Sequence, residues 1–96
     1  MMVNDNDFEI FEQRFSMYVI MMVGTYPGCI KADISPLGDP RRTTKFARVE
    51  YLIEKGFIEH PVINSRVSNK LQLTCKGQKL FEHVTAIHGI INDESE

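Results

Sequence analysis

The chain has 96 residues, of which 43% are apolar and 25% are charged, so it fits a single globular domain, 1–96, and not a disordered tail. The formal net charge of −2 argues against a general binder of nucleic acid. No apolar run approaches the roughly 18–20 residues of a membrane span, and the longest run, 17–23, follows an acidic segment, so neither a membrane span nor a signal peptide is expected. Two cysteines without C-x-x-C spacing suit a reducing compartment, so we expect a cytoplasmic protein without a membrane partner.

The charges are segregated along the chain. Residues 40–80 hold nine basic and three acidic side chains, a net charge of +6, and the two ends together carry −8. Such polarity suits a protein with one face that meets phosphates and other faces that meet solvent or a second subunit.

The first predicted helix spans 7–23. Its second half is apolar nearly all round, as expected of a helix covered both by its own core and by a partner chain. Apolar residues recur every three or four positions along one stripe: Phe8, Phe11, Phe15, Tyr18 and Met22.

Two further helices are predicted before residue 56. A short one at 29–35 is indicated by Ile30 and Ile34, and the proline that follows Ser35 ends it. A longer one at 40–55 begins at Pro40 after the capping residue Asp39 and ends at Gly56. Its predicted apolar face carries Phe46, Val49 and Ile53.

After Gly56, apolar residues recur about every second position and no longer every fourth, which predicts a β-hairpin over 57–73. The expected strands are 57–63 and 70–73, and 64–69 form the tip. Thr74 then caps a last helix at 75–91. Its predicted apolar stripe consists of Leu80, Val84, Ile87 and Ile91.

Two segments carry a family resemblance. Leu52-Ile53-Glu54-Lys55-Gly56-Phe57-Ile58 resembles the end of the recognition helix in small winged helix-turn-helix transcription regulators of the MarR-like, PadR-like and archaeal types. Leu73-Thr74-Cys75-Lys76-Gly77 resembles the start of the final helix in the same proteins. The resemblance spans 28–84 and implies an α+β winged helix-turn-helix fold with three helices, a two- or three-stranded β-wing and a C-terminal helix. The connection 34–40 is longer than the usual helix-turn-helix turn.

The resemblance implies sequence-specific binding of double-stranded DNA for transcriptional control, with the helix 40–55 in the major groove and the wing on the backbone or minor groove. The face opposite Phe46, Val49 and Ile53 is a stripe of hydrogen-bond donors, namely Arg41, Thr44, Arg48, Tyr51 and Lys55. The residues expected to contact DNA are Arg41, Arg42, Thr43, Thr44, Lys45 and Arg48 on the helix, and Arg66 and Lys70 on the wing.

A homodimer is predicted from apolar residues that a short chain cannot cover by itself: Phe8, Phe11, Phe15, Ile87, Ile90 and Ile91. The alternative function is a winged-helix module that binds a partner protein and no DNA, which the net charge of −2 favours.

Enzymatic, cofactor and metal sites are not predicted. The sequence has no glycine-rich phosphate loop and no catalytic motif, and a domain of this size rarely offers a deep pocket. His83 and His88 stand five residues apart, whereas ligand pairs on a helix usually stand three or four apart. A small-molecule effector and a redox role of Cys29 or Cys75 remain open.

Overall fold

The computed structural model describes residues 3–93, and within that range five α-helices pack around two short two-stranded sheets. None of these helices combines the length and the apolar character needed to cross a bilayer. The elements are a 3-10 turn at Asp5–Phe8, α1 at Glu9–Glu12, α2 at Ser16–Thr25, α3 at Lys31–Ile34, α4 at Arg42–Glu54, β1 at Ile58–Glu59, β2 at Val62–Ile63, β3 at Arg66–Val67, β4 at Gln72–Leu73, and α5 at Cys75–Ile91.

The prediction of one helix over 7–23 is wrong, because the chain bends between α1 and α2. Gln13 has an extended backbone, and Phe15 adopts a left-handed conformation with φ +69°. Such a conformation costs a bulky residue about 1–3 kcal/mol. The Phe15 ring is held by an edge-on contact with Tyr18, with the centroids 6.3 Å apart, and by the Arg14 guanidinium 4.7 Å from its centroid. Helical periodicity continues through the bend, so the apolar pattern alone does not reveal it.

The core lies where α2, α4, α5 and the base of the hairpin meet. Its α2 face carries Val19, Ile20 and Val23, whereas Phe8 and Tyr18 from the predicted stripe are exposed. The predicted stripe is therefore not the core face. The buried apolar residues are Val19, Ile20, Val23, Cys29, Ile34, Val49, Leu52, Ile58, Leu71 and Val84.

The short helix α3 is a single turn inside the predicted range 29–35. The backbone N–H of Ile30 donates to Asp33 Oδ2 at 2.9 Å, which satisfies one of the free donors at the start of the helix. Ile34 at its end is fully buried and fixes α3 against the core.

Helix α4 begins at Arg42, two residues after the predicted start. The backbone N–H of Arg41 donates to Asp39 Oδ1 at 2.9 Å, but the N-cap position of α4 is Arg41 and has no side-chain cap, so Asp39 fixes the turn before the helix and is not its N-cap. Beyond the other end, Gly56 has φ +84°, a conformation that favours glycine, and the Phe57 N–H then donates to the Leu52 carbonyl at 2.9 Å.

The wing is one hairpin interrupted at Pro61. Strand β1 pairs with β4 near the core, and β2 pairs with β3 farther out, with Ile63 opposite Arg66. Asn64 and Ser65 both have positive φ, as a two-residue hairpin turn of type I′ requires, so the tip is shorter than the predicted 64–69. The start of the return strand is also earlier than predicted.

A third backbone segment joins the base of the wing. The N–H of Gly28 donates to the Leu71 carbonyl at 2.8 Å, and the N–H of Leu71 donates to the Cys29 carbonyl at 2.7 Å. These two hydrogen bonds tie the segment before α3 to the wing.

The bounds of α5 coincide with those predicted for the last helix. The Thr74 hydroxyl accepts a hydrogen bond from the Gly77 N–H at 3.0 Å and donates one to the Gly56 carbonyl at 2.6 Å. Val84 is buried, but Ile87 and Ile91 from the predicted stripe are exposed. The apolar stripe of α5 is therefore covered only in its first half.

Candidate nucleic-acid interface

The start of α4 presents polar side chains to solvent. The Arg41 side chain is 55% exposed, and its Nε lies 3.7 Å from Asp39 Oδ1. Thr43, the second residue of α4, is exposed, and Thr44 is half-buried beside it. In helix-turn-helix proteins this end of the recognition helix meets the base edges.

Arg42 lines a cleft of about 320 Å³ between α3, α4 and the wing. Its guanidinium lies 4.6 Å from the centroid of the Phe46 ring, and its Nε donates to the Ser35 carbonyl at 3.1 Å. The aromatic ring and the carbonyl thus fix the direction of Arg42. The cleft is lined by Ile30, Lys31, Ala32, Arg42, Phe46, His60 and Asn69.

Lys45, which is predicted to contact DNA, does not lie on the exposed surface. It is 7% exposed and occupies a core position of α4, next to Val49 and Leu52. Its Nζ donates to Asp39 Oδ2 at 2.8 Å, and this pair satisfies the buried charge. The sequence indicates Asp39 as a cap, but no local signal pairs it with a lysine six residues later.

The donor-rich stripe of α4 is also rotated from its predicted direction. Arg48 is half-buried, and its Nε donates to the Arg14 carbonyl at 2.7 Å, at the bend between α1 and α2. Tyr51 is half-buried on the same flank. The most exposed positions of the helix are instead Thr43, Ala47, Glu50 and Glu54. Because Lys45, Val49 and Leu52 form the core face, the outward face of α4 runs through these four positions and not along the predicted stripe.

One acidic side chain on that outer face is paired. Glu50 forms an ion pair with Lys31 of α3, and both residues lie at the surface. Lys31 Nζ also lies 6.0 Å from the centroid of the Phe46 ring. The pair reduces the negative charge that Glu50 would present to a phosphate backbone.

The two cationic side chains predicted on the wing are exposed. Arg66 lies on β3, directly beside the turn, and Lys70 lies in the loop before β4. Lys70 is held through its backbone, because its carbonyl bonds to His60 Nδ1 at 2.9 Å and its N–H donates to Ser68 Oγ at 3.1 Å. Within residues 3–93 neither side chain has an ion-pair partner, so both can meet an anionic ligand.

Most of the residues predicted at a dimer interface are exposed. Phe8 and Phe11 are 48% and 41% exposed, and Ile90 and Ile91 are 74% and 72% exposed. Ile87 borders an apolar groove of about 400 Å³ between α2 and α5. The groove is lined by Met17, Tyr18, Met21, Met22, Thr25, Tyr26, Val84, Ile87, His88 and Ile91.

Phe15 differs from the other predicted interface residues. It is half-buried, and its ring meets the cations of Arg14, Arg41 and Lys45 at 4.7, 5.7 and 5.3 Å from the centroid. These contacts are within the chain, and the place of Phe15 at a dimer interface stays a prediction. The ring links the bend to the start of α4.

The potential metal ligands stay apart. Over 3–93, no three His, Cys, Asp or Glu side chains come together as an ion site would need. Cys29 is buried, and this burial raises the pKa of its thiol above the usual value, with a smaller contribution from the charge of Asp33. Cys75 is exposed at the first position of α5.

Two solved structures are similar to this chain. The transcriptional regulator SlyA has a TM-score of 0.57 and 22% sequence identity, over 92% of this chain and 68% of its own. FabT of Streptococcus pneumoniae, determined in complex with DNA, has a TM-score of 0.57 and 24% identity, over 95% of this chain and 72% of its own. No family model matches the sequence, and no curated protein matches it. The similarity confirms the predicted winged-helix fold, of the α+β class, which the sequence motifs indicated.

Proposed function

We propose that this winged-helix chain is a transcriptional regulator that binds double-stranded DNA in a sequence-specific manner. The first turn of α4 enters the major groove, and the wing contacts the backbone or the minor groove. The solved DNA complex of FabT, which has the same fold, supports this proposal. This role requires no enzymatic activity of the chain.

The observation that carries the proposal is the pair of cationic elements at the start of α4 and on the wing. Arg41 and Thr43 are exposed on the helix, and Arg42 lines the cleft shared with the wing. Arg66 and Lys70 are exposed on the wing. Guanidinium groups on a helix can pair with guanine edges, and cations on a hairpin can neutralise phosphates.

A selection of genomic fragments with the purified protein tests the proposal, since it reports both binding and the preferred sequence. The affinity for a selected duplex is expected to fall as salt rises, with a log–log slope of about −0.9 for each neutralised phosphate. Absence of duplex binding at low salt would contradict the proposal and favour a winged-helix module that binds a partner protein.

Arg41→Ala is expected to weaken binding to the selected duplex by about 1–3 kcal/mol if Arg41 pairs with a base edge. The measurement is a fluorescence anisotropy titration with the selected duplex and with a scrambled one. Arg14→Ala is the matched control, because Arg14 is an exposed arginine that also lies over the Phe15 ring. Equal losses for both variants would remove Arg41 from the DNA-binding site.

A homodimer is the second part of the proposal. The second half of α5 exposes Ile87, Ile90 and Ile91 beside the apolar groove, and exposed apolar area of this kind commonly marks a subunit interface. Two copies related by a twofold axis would present two start regions of α4 to two half-sites of DNA.

Ile91→Glu is expected to shift the protein from dimer to monomer at micromolar concentration, because a carboxylate would be buried in an apolar interface. Sedimentation velocity measures the change. Val67→Glu is the control, since Val67 on the wing has the same 72% exposure as Ile91. A wild-type protein that is already monomeric would refute the homodimer.

A further inference from the structure

Lys45 is a charged side chain that the proposed DNA contacts do not use. Its Nζ lies 2.8 Å from Asp39 Oδ2, 4.9 Å from the centroid of the Tyr18 ring and 5.3 Å from that of Phe15. A lysine is rarely buried without a specific partner, because the removal of its charge from water is costly. All of these partners lie within the chain, so Lys45 contributes to the position of other groups.

Asp39 is the acceptor that connects Lys45 with the start of α4. Besides Lys45, its carboxylate accepts hydrogen bonds from Ser35 Oγ at 2.7 Å and from the Arg41 N–H at 2.9 Å. These bonds, with the Lys45 contact as the largest contribution, hold the pKa of Asp39 far below its usual value. Asp39 is therefore an ionised side chain held just before the start of α4. This start is the part of the helix that is proposed to contact DNA.

The same group of contacts connects the long segment between α3 and α4. The Tyr18 hydroxyl donates to the Ile34 carbonyl at 3.2 Å, and Arg42 Nε donates to the Ser35 carbonyl at 3.1 Å. Side chains thus set the geometry of residues 35–41, which exceed the tight turn of a helix-turn-helix motif. The ion pair of Asp39 and Lys45 lies where these contacts meet.

We infer that Lys45 is a positioning residue for DNA recognition: through Asp39 it fixes the start of α4, and it compensates the Asp39 charge that would otherwise repel phosphates. The inference rests on the proposed DNA-binding function. Lys45 itself does not touch the duplex. The part of the inference that concerns the backbone at 39–42 does not require DNA.

A double-mutant cycle on the full chain tests this role. Lys45→Met is expected to lower affinity for the selected duplex by about 2- to 150-fold, the range of coupling between residues in contact. In an Asp39→Asn background the same substitution is expected to change affinity less than twofold, because the side-chain amide of that variant carries no charge and still accepts from the Arg41 N–H. The salt slope is expected to be unchanged by Lys45→Met.

Arg66→Ala is the reference for a direct phosphate contact. For this variant, the log–log slope of duplex affinity against salt concentration is expected to become about 0.9 less negative. An equal loss from Lys45→Met in both backgrounds, together with such a slope change, would show that Lys45 contacts phosphate and would overturn the inference.

Amide hydrogen exchange separates this inference from the proposed function. Faster exchange at Arg41 and Arg42 in the Lys45→Met variant is expected even if the wild-type protein binds no duplex. Unchanged exchange at these amides would overturn the positioning role. If Lys45→Met does not fold, Lys45→Gln serves in the same cycle and exchange measurement, since it keeps an N–H donor toward Asp39 without the charge.

Discussion

Leu52→Ala is expected to lower the free energy of unfolding by about 2–5 kcal/mol. Leu52 is fully buried in α4 and belongs to the core shared with α2 and the base of the wing. Its truncation removes apolar contacts and leaves a cavity, because the surrounding helices cannot close completely around alanine. Since small domains have a total stability of about 5–15 kcal/mol, the variant loses a large part of it.

Urea unfolding followed by circular dichroism measures this loss. Leu37→Ala is the matched control, because Leu37 lies in the turn before α4 and is 86% exposed. The control is expected to change stability by less than about 0.5 kcal/mol. Similar stabilities for the two variants would contradict the position of Leu52 in the core.

Gly77→Ala is expected to destabilise the fold by about 3 kcal/mol or more, at the upper end of the cost of overpacking. A Cβ at this position would lie 2.0 Å from the Phe57 carbonyl oxygen and 3.0 Å from its carbonyl carbon. That oxygen also accepts a hydrogen bond from the Thr74 N–H at 3.1 Å. A backbone group cannot rotate away as a side chain can, so α5 would have to move off the base of the wing.

Gly89→Ala is the control in the same helix, because a Cβ at that position would meet no described heavy atom within 4 Å apart from its chain neighbours and the adjacent backbone of α5. Alanine there is expected to stabilise the protein by about 0.5–1 kcal/mol through its higher helix propensity. If Gly77 packs against the Phe57 carbonyl, thermal unfolding shows a lower melting temperature for Gly77→Ala and a higher one for Gly89→Ala. A melting temperature for Gly77→Ala at or above that of the wild type would disprove it.

Gly77 and Gly56 explain part of the sequence resemblance in physical terms. The motif 73–77 contains a cap, Thr74, and a glycine that permits the close approach of α5 to the residue after Gly56. The motif 52–58 contains the core residue Leu52 and the positive φ of Gly56. The two motifs therefore meet in space, which is why their order and spacing indicate a winged helix.

The candidate site was predictable only in part. The exposed positions Arg41, Thr43, Arg66 and Lys70 are those that the sequence indicates. The burial of Lys45 was not predictable, because its partner Asp39 and the Phe15 ring reach it only through the tertiary fold. DNA contact by any of these residues remains a prediction.

Local chemistry in the sequence determines the presence of the hairpin, the end of α4 near Gly56 and both ends of α5. These features depend on only a few neighbouring residues, so the sequence alone indicates them. Examples are the cap at Thr74, the positive φ at Gly56 and the change in the spacing of apolar residues. Tertiary contacts alone decide the bend at Phe15, the rotation of α4 about its axis and the ion pair inside the protein. In the first two cases, groups distant in sequence compete with the local preference. The ion pair joins residues only six apart, but its burial depends on the distant rings of Phe15 and Tyr18.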